Sequence, residues 1–407
     1  MLFHRLDENQ ATFYLDTRRA QGFNVVQAVI LAELDGIDTP NANGDTPFLS
    51  LENWEYNEAY FRHVDKILDL AFERDIHIAL LPTWGDKLFK ESWGKGPEIF
   101  TPTTAFSYGK WIGNRYRDKK NLIWVLGGDR NPRENSQDIE VWNQMAKGIL
   151  ETQNPENPIL ITFHPQPADP GGSSNWFHQA DWLDFNMHQT GHCPSQATYE
   201  KISHDLNLSP KKPSLDGEPM YEEHPKCFNA KKQGYSEAAD IRKIMYWNVF
   251  AGAAGQTYGC HAVWQMFDLD KSPVNAPLKP WHKSLDLEAA NQVKHLKNLM
   301  LSRPYFDRIP DQGLIAANQV NDSTFVSATR DRNGSFALFY FPTGNKTAIN
   351  LESLKGDSFK LTWRDPRTGI EFPGNEGSPI RKGNNLQIIP PSAGRGNDWV
   401  LIVDALD

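Results

Sequence analysis

Two rhythms of apolar positions take turns through the first three quarters of the chain. In ENQATFYLDTRRAQG, Ala11, Phe13 and Leu15 give a helical face, and Gly22 is a natural helix stop. The apolar run FNVVQAVIL follows at once and predicts a strand. The alternation continues with a helix over about 57–74, a strand IHIALLPTW from Ile76, a helix over about 103–117 and a strand LIWVLGGD from Leu122. A helix over about 138–152 and a strand PILITFHP from Pro158 come next. Further strand patterns are DWLDFNMHQTGH from Asp181, PSLDGEPMYE from Pro213 and, after a helix over about 236–251, QTYGCHAVWQM from Gln256.

Strand and helix in turn are the mark of a parallel sheet. Several of the strand runs are almost wholly apolar, as expected when both faces are covered. Polar and aromatic residues collect after the strand ends, which favours an α/β (β/α)8 TIM-type barrel over an open doubly wound sheet. The first strand is not followed by GxGxxG, which argues against a dinucleotide site. The count gives seven strands and the chain opens on a helix, so the barrel's first strand is expected to be missing from this sequence.

After a helix over about 287–301 the texture changes. NGSFALFYFPTGNKTAINL, FKLTWRDPRTGIEF and NDWVLIVDAL are short strand patterns divided by Asn, Gly and Pro turns, and they predict a small all-β sandwich. The expected domains are a barrel at 1–303 and a β-sandwich at 304–407. No low-complexity tract or internal repeat points to a solenoid.

Charge narrows the partners. The net charge of −9 and the pI near 5.8 argue against nucleic acid, whose phosphates call for a basic surface. Aromatic residues make up 12%, including 13 Trp, and flat apolar faces with a polar edge suit sugar rings as well as cores. Three cysteines, Cys193, Cys227 and Cys260, are an odd number without ligand spacing, so neither a disulfide framework nor a zinc site is expected. There is no run of the roughly 20 apolar residues that a membrane span needs, and MLFHRLDENQ has no signal-peptide pattern, so the chain reads as soluble and non-membrane.

The chemistry is sought where strands end. In LIWVLGGDRNP the strand carries the chain up through the core, two glycines let it pass close to its neighbours, and Asp129 lands on the rim. In LDGEPMYE, Glu218 stands out between Gly217 and Pro219. With the missing strand counted as the first, Asp129 follows strand 4 and Glu218 strand 7. Cleaving a glycosidic bond needs one carboxyl group to protonate the leaving oxygen and a second to attack or to activate water from the opposite face. Two carboxyl groups across one barrel mouth can supply that pair. Either motif alone is equally a helix cap or an arginine partner.

Residues at the same strand ends are the substrate-binding candidates: Gln27, Trp84, Arg130 and Asn131, then His164, then His188, Gln189 and His192, and finally Tyr221, Glu222, Trp264 and Gln265. Trp84 and Trp264 can stack on a sugar or close the barrel end as packing. His164 and His188 can bond hydroxyls, hold Glu218, or serve as satisfied structural histidines. Arg130 is a partner for Glu218 or Glu222, or a packing ion pair. HQTGH spaces two histidines at i, i+4, but Gly191 argues against a continuous helix and no third ligand is indicated, so no catalytic metal is expected. Without a GxSxG elbow, nucleophilic serine chemistry has no support.

Taken together and in order, NLIWVLGGDRNP, FHPQ with SSNWFH, WLDFNMHQTGH, DGEPMYEEHP and WRDPRTG resemble the apiosidase-like glycoside hydrolases over essentially the whole chain. The resemblance implies a (β/α)8 catalytic domain followed by a small β domain labelled collagen-binding, with Asp129 as acid/base, Glu218 as nucleophile, retention of configuration and no cofactor. It implies a carbohydrate substrate, with apiose-bearing pectin side chains as the family's own. A secreted or periplasmic place is implied if the native start lies upstream. Members usually begin with a strand leading into Asp-Thr-Ala-Trp, whereas this chain starts just after it, and the wider clan has Asn before the acid/base, where this chain has Gly128. The rival expectation is a catalytically impaired carbohydrate-binding protein that keeps the groove. Retention requires carboxyl groups about 5 to 5.5 Å apart, and inversion about 6.5 to 9.5 Å.

Overall fold

The computed structural model describes residues 1–91, 93–194, 197–316, 319 and 322–406. They divide into two compact units. One comprises Met1–Gln189, Ser209–Pro213 and His261–Leu285; the other comprises Thr190–Leu208, Ser214–Cys260 and Asp286–Asp407.

The first unit is built on four parallel strands, Val25–Leu31, His77–Thr83, Leu122–Gly127 and Ile161–His164, which lie side by side in chain order. The register runs from Val25 opposite His77 to Leu31 opposite Thr83, then from Ile78 opposite Leu122 and from Trp124 opposite Ile161. Ile78, Leu80, Val125, Leu126 and Phe163 are buried, as continuous apolar runs require. Between the strands stand the helices Glu58–Phe72, Pro102–Tyr116 and Asp138–Leu150, each within two residues of its expected span. Local chemistry sets two of their starts. Asn57 accepts a bond from Ala59 N, while Thr101 and Thr104 cap each other around Pro102.

Two expectations are corrected. Phe13 is half exposed, because the buried face of helix Glu8–Ala20 repeats every three to four residues through Ala11, Tyr14, Leu15 and Arg18 and leaves position 13 off it. The stretch from Gln256 forms no strand. Cys260 makes a single bridge to Glu222, and His261–Trp264 is a short helix. Its apolar side chains are core packing on a turn, where Gly259 lies so close under the Tyr221 ring that no side chain fits.

The second unit contains the strand Ser214–Glu218, the helices Thr198–Leu206, Ala238–Phe250 and Glu288–Leu301, and an antiparallel sheet. In spatial order its strands are Glu371–Pro373, Ser358–Arg364, Trp399–Ala405, Phe336–Phe341, Ser327–Asp331 and Arg308–Pro310, with Ile380–Arg381 also pairing to Ser358–Arg364. On one face Phe339, Phe341, Leu361, Leu401 and Val403 share a core with Ile349 and Ile388 of a two-stranded ribbon. On the other, Leu338, Tyr340, Val400 and Ile402 pack against helix Ala238–Phe250, where the Tyr246 and Tyr340 rings stack at 4.7 Å. A covered sheet explains why all of FALFYF is buried, without the alternation a one-sided sheet would show. A buried ion pair spans the same contact, with Arg242 donating to both oxygens of Asp398 at 3.0 and 2.8 Å.

The chain therefore carries an α/β domain with a partial parallel sheet, followed by an antiparallel all-β domain. Among the described residues, no helix is long and apolar enough to cross a membrane.

Candidate active site

The glycines after Leu126 act by shape. Gly127 and Gly128 hold φ of 85° and 115°, and Asp129 follows at 54°. A Cβ on Gly127 would strike the His164 carbonyl, and one on Gly128 would lie 2.7 Å from the Trp84 ring. This left-handed turn lifts the Asp129 side chain out of the strand, leaving it about a fifth exposed, at 21%. Its Oδ2 accepts a bond from Trp93 Nε1 at 3.0 Å and lies 3.6 Å from Arg130 Nη1. Trp93 was not among the expected residues. It stands with its ring 4.6 Å from the Arg130 guanidinium, against the Asp129 carboxylate.

Arg130 is fully buried and committed to its own unit. Nε donates to Phe89 O, Nη2 to Lys90 O and Nη1 to Asp129 O, at 3.0, 2.5 and 2.5 Å. Of the two readings left open by the sequence, these bonds and the neighbouring Asp129 carboxylate support the packing role, because a planar fork with five donors is satisfied by a ring of carbonyls in a tight turn. Trp84 and His164 are brought to the same place, with rings 5.4 Å apart, and His164 Nδ1 lies 3.5 Å from Asp129 N. Asn131 and Gln166 clasp each other by backbone and side chain, at 3.0 and 3.4 Å. Gln27 lies midway along its strand, opposite Ala79, four residues short of the end at Leu31. His188 and Gln189 close the strand Asn186–Gln189 and are buried. Trp264 donates to His261 Nδ1, and Gln265 is buried in bonds to His261 and Val274.

In the second unit Glu218 ends its strand with its side chain 11% exposed. The Glu218 carbonyl accepts from Thr190 N and Gly191 N, at 3.2 and 3.3 Å, so the HQTGH turn is fastened to it. From that turn His192 brings Nε2 to 3.4 Å from Glu218 Oε1. His192 is held by a stack on His224 at 3.9 Å, by the Tyr221 ring at 4.7 Å and by the edge of Phe228. Asp216, two residues before Glu218, is buried and accepts from Thr190 Oγ1 and Asn248 Nδ2, which makes it a strut of the strand. Both oxygens of Glu222 are engaged, one by Tyr258 Oη at 2.7 Å and one by Ala289 N at 3.0 Å. Burial pushes the Glu222 carboxyl above the ordinary carboxylate range, and those two bonds pull it back.

The cysteine expectation is overturned as well. Cys193 and Cys227 form a disulfide, with Cα atoms 4.6 Å apart and a sequence separation of 34, while Cys260 is a buried free thiol. The bridge adjoins His192, whose carbonyl accepts from Cys227 N at 2.9 Å. An odd cysteine count hides a pair whenever the third is simply a core residue. Among the described residues no group of three or more His, Cys, Asp or Glu could hold a metal ion.

The whole chain resembles solved carbohydrate-cleaving enzymes. A structure described as a glycoside hydrolase matches with 28% identity and a TM-score of 0.86, covering 99% of this chain and 90% of that one. A glycoside hydrolase family 5 protein from Bacteroides vulgatus ATCC 8482 matches with 28% identity and a TM-score of 0.88, covering 99% and 88%. A family 39 glycoside hydrolase from the gut symbiont Bacteroides cellulosilyticus WH2 shares the fold, with 12% identity and a TM-score of 0.55, covering 98% and 80%. No curated protein matches the sequence. Fold and likenesses define the class, a glycoside hydrolase. Within that class, residues 1–307 match the family profile "Apiosidase-like, catalytic domain", so the chain belongs to the apiosidase-like family. Residues 309–404 match "Putative collagen-binding domain of a collagenase".

Proposed function

We propose that the enzyme is a retaining glycosidase in which Asp129 is the acid/base and Glu218 the nucleophile. One observation carries the reading. Glu218 closes a strand and Asp129 follows one by two residues, and each keeps some exposure and lies against a ring nitrogen, that of His192 or that of Trp93. In the first step Asp129 gives its proton to the glycosidic oxygen as Glu218 attacks the anomeric carbon and the leaving alcohol departs. In the second, ionised Asp129 takes a proton from water, whose oxygen displaces Glu218. Trp84, Asn131, His164 and Tyr221 are the proposed sugar contacts. The parallel strands are proposed to belong to a (β/α)8 barrel, and apiose-bearing pectin side chains are the proposed substrate, on the family's name. The Cys193–Cys227 disulfide supports an oxidising, extracytoplasmic location.

The test uses an aryl glycoside with a good leaving group. Glu218→Gln should abolish turnover. Asp129→Asn should slow the second step by about 10²- to 10⁴-fold, with azide restoring the rate as a glycosyl azide of retained configuration. Parent-like turnover by Asp129→Asn, or an inverted first-formed anomer by NMR, would reject the assignment.

A further inference from the structure

The second unit holds a cavity of about 540 Å³, a size within the range of small-ligand sites. Its floor is one face of helix Ala238–Phe250, where Asp240, Lys243 and Trp247 follow at i, i+3 and i+7. Its walls come from Pro194 and Lys226 and from loops of the all-β domain bearing Asp322, Thr343 and Arg395. Neither Asp129 nor Glu218 lines it.

The charges decide what the cavity suits. Asp240 is already matched, accepting from Lys226 Nζ at 3.1 Å, Arg395 Nη2 at 3.0 Å and Glu237 N at 3.1 Å. Arg395 is further held by Glu237. Lys243 is different. Its Nζ reaches the Pro194 carbonyl at 3.4 Å and lies 4.8 Å from the Trp247 ring centroid, and among the described residues no carboxylate stands within ion-pair distance. Burial lowers its pKa, with Asp240 and Asp322 opposing at longer range. An ammonium has three donors, and a partly desolvated one gains most from an anion. Nearby, Asp322 is fixed by Thr324 N and Oγ1, and Thr343 Oγ1 is buried with no hydrogen-bond partner among the described residues.

We propose that this cavity binds a sugar acid, a saccharide unit with one carboxylate, which pairs with Lys243 while its hydroxyls meet Asp322 and Thr343. The two alternatives fit less well. A neutral sugar leaves the Lys243 charge unanswered, and a phosphate monoester brings a second negative charge toward Asp240 and Asp322. Pro194 and Lys226 each adjoin a half of the Cys193–Cys227 bridge, so the wall beside Lys243 is fixed covalently. The site goes beyond the catalytic reading and does not rest on it.

D-glucuronate, D-glucuronamide and glucose 6-phosphate distinguish the classes when titrated into the whole protein by NMR or calorimetry. Glucuronate should bind, and the amide, which removes only the charge, should bind about tenfold more weakly. Lys243→Met should lower glucuronate affinity to that of the amide, and Lys243→Arg should keep it within about threefold. A thermal melt of each variant confirms folding. Glu218→Gln should bind glucuronate like the parent. Equal binding of acid and amide, tighter binding of the phosphate, full affinity in folded Lys243→Met, or loss of binding in Glu218→Gln would each overturn the proposal. The last would place the ligand at Glu218, whereas an inactive parent that still binds glucuronate through Lys243 would overturn only the catalytic reading.

Discussion

Trp93 illustrates how a single side chain does two jobs. Half its surface is exposed, at 51%, so the fold gains little from it. Yet its indole N–H is given to Asp129 and its face to the Arg130 guanidinium. Trp93→Phe keeps the apolar face and deletes the donor. A hydrogen bond to a charged group contributes about 1.5 to 3 kcal/mol, and the exposed setting favours the lower end, so kcat should fall about tenfold with the melting temperature unchanged. A parent-like kcat would mean that the bond to Asp129 has no part in turnover. Arg130 offers no such clean probe, because its donors fasten the Phe89–Lys90 backbone and its loss would disturb the turn itself. Asp129 and Glu218 stand out in the sequence as candidates because each follows a strand pattern and a glycine, a signal tied to chain geometry. Trp93 sits in a loop without periodicity, and only folding brings it back to the aspartate.

At the scale of elements, the turn that carries His192 depends on the Cys193–Cys227 bridge. Cys227 and Phe228 both have positive φ, 48° and 59°, a conformation that side chains other than glycine adopt only under restraint. Closing a loop across 34 positions corresponds to about 3 to 4 kcal/mol in the chain-entropy view. Replacing both cysteines by serine, or adding reductant, should therefore lower the urea midpoint and cut kcat through a freed His192. Thiol counting by alkylation and mass provides an independent readout. Two alkylatable thiols at 193 and 227 in the untreated protein would end the idea. The regular elements were legible beforehand because their period is written in the chain, and helices 58–72, 102–116 and 138–150 fall where the apolar spacing puts them. The bridge was not, since a separation of 34 residues says nothing of distance in space. Nor was the fate of the Gln256 stretch, where buried residues of a lone bridge and a short helix, Cys260 and Val263, imitate a strand.

At the scale of the molecule, compactness does not follow the chain. The family profiles divide it between residues 307 and 309, whereas one compact unit gathers 190–208 and 214–260 with everything from 286 onward. The reason is a shared core, in which helix Ala238–Phe250 buries its aromatic face on the sheet strands Phe336–Phe341 and Trp399–Ala405. Periodicity announces that a face is apolar without naming what will cover it. Global stability should in turn carry the trace of one buried histidine. His4 is 4% exposed, its Nδ1 lies 3.0 Å from Tyr60 Oη, and burial pulls its pKa down to about 3 from the ordinary 6.5. Below pH 6.5 the unfolded chain takes up a proton that the folded protein refuses. The stability this neutral ring contributes is therefore complete above pH 6.5 and drains away as pH falls toward 3, at up to about 1.4 kcal/mol per pH unit. His63, also lowered by burial, adds to the same slope. Paired carboxylates such as Asp138 and Asp240 have depressed values and yield only below the ordinary carboxylate range, whereas Glu222, raised by burial, acts in the opposite direction in parent and variant alike, so the difference between parent and His4→Phe over pH 6.5 to about 4.5 isolates His4. Urea midpoints measured across that interval should drop steadily in the parent and less steeply in His4→Phe, which keeps the ring volume and cannot ionise. An equal slope in both proteins would mean that His4 is not the group that senses the acid.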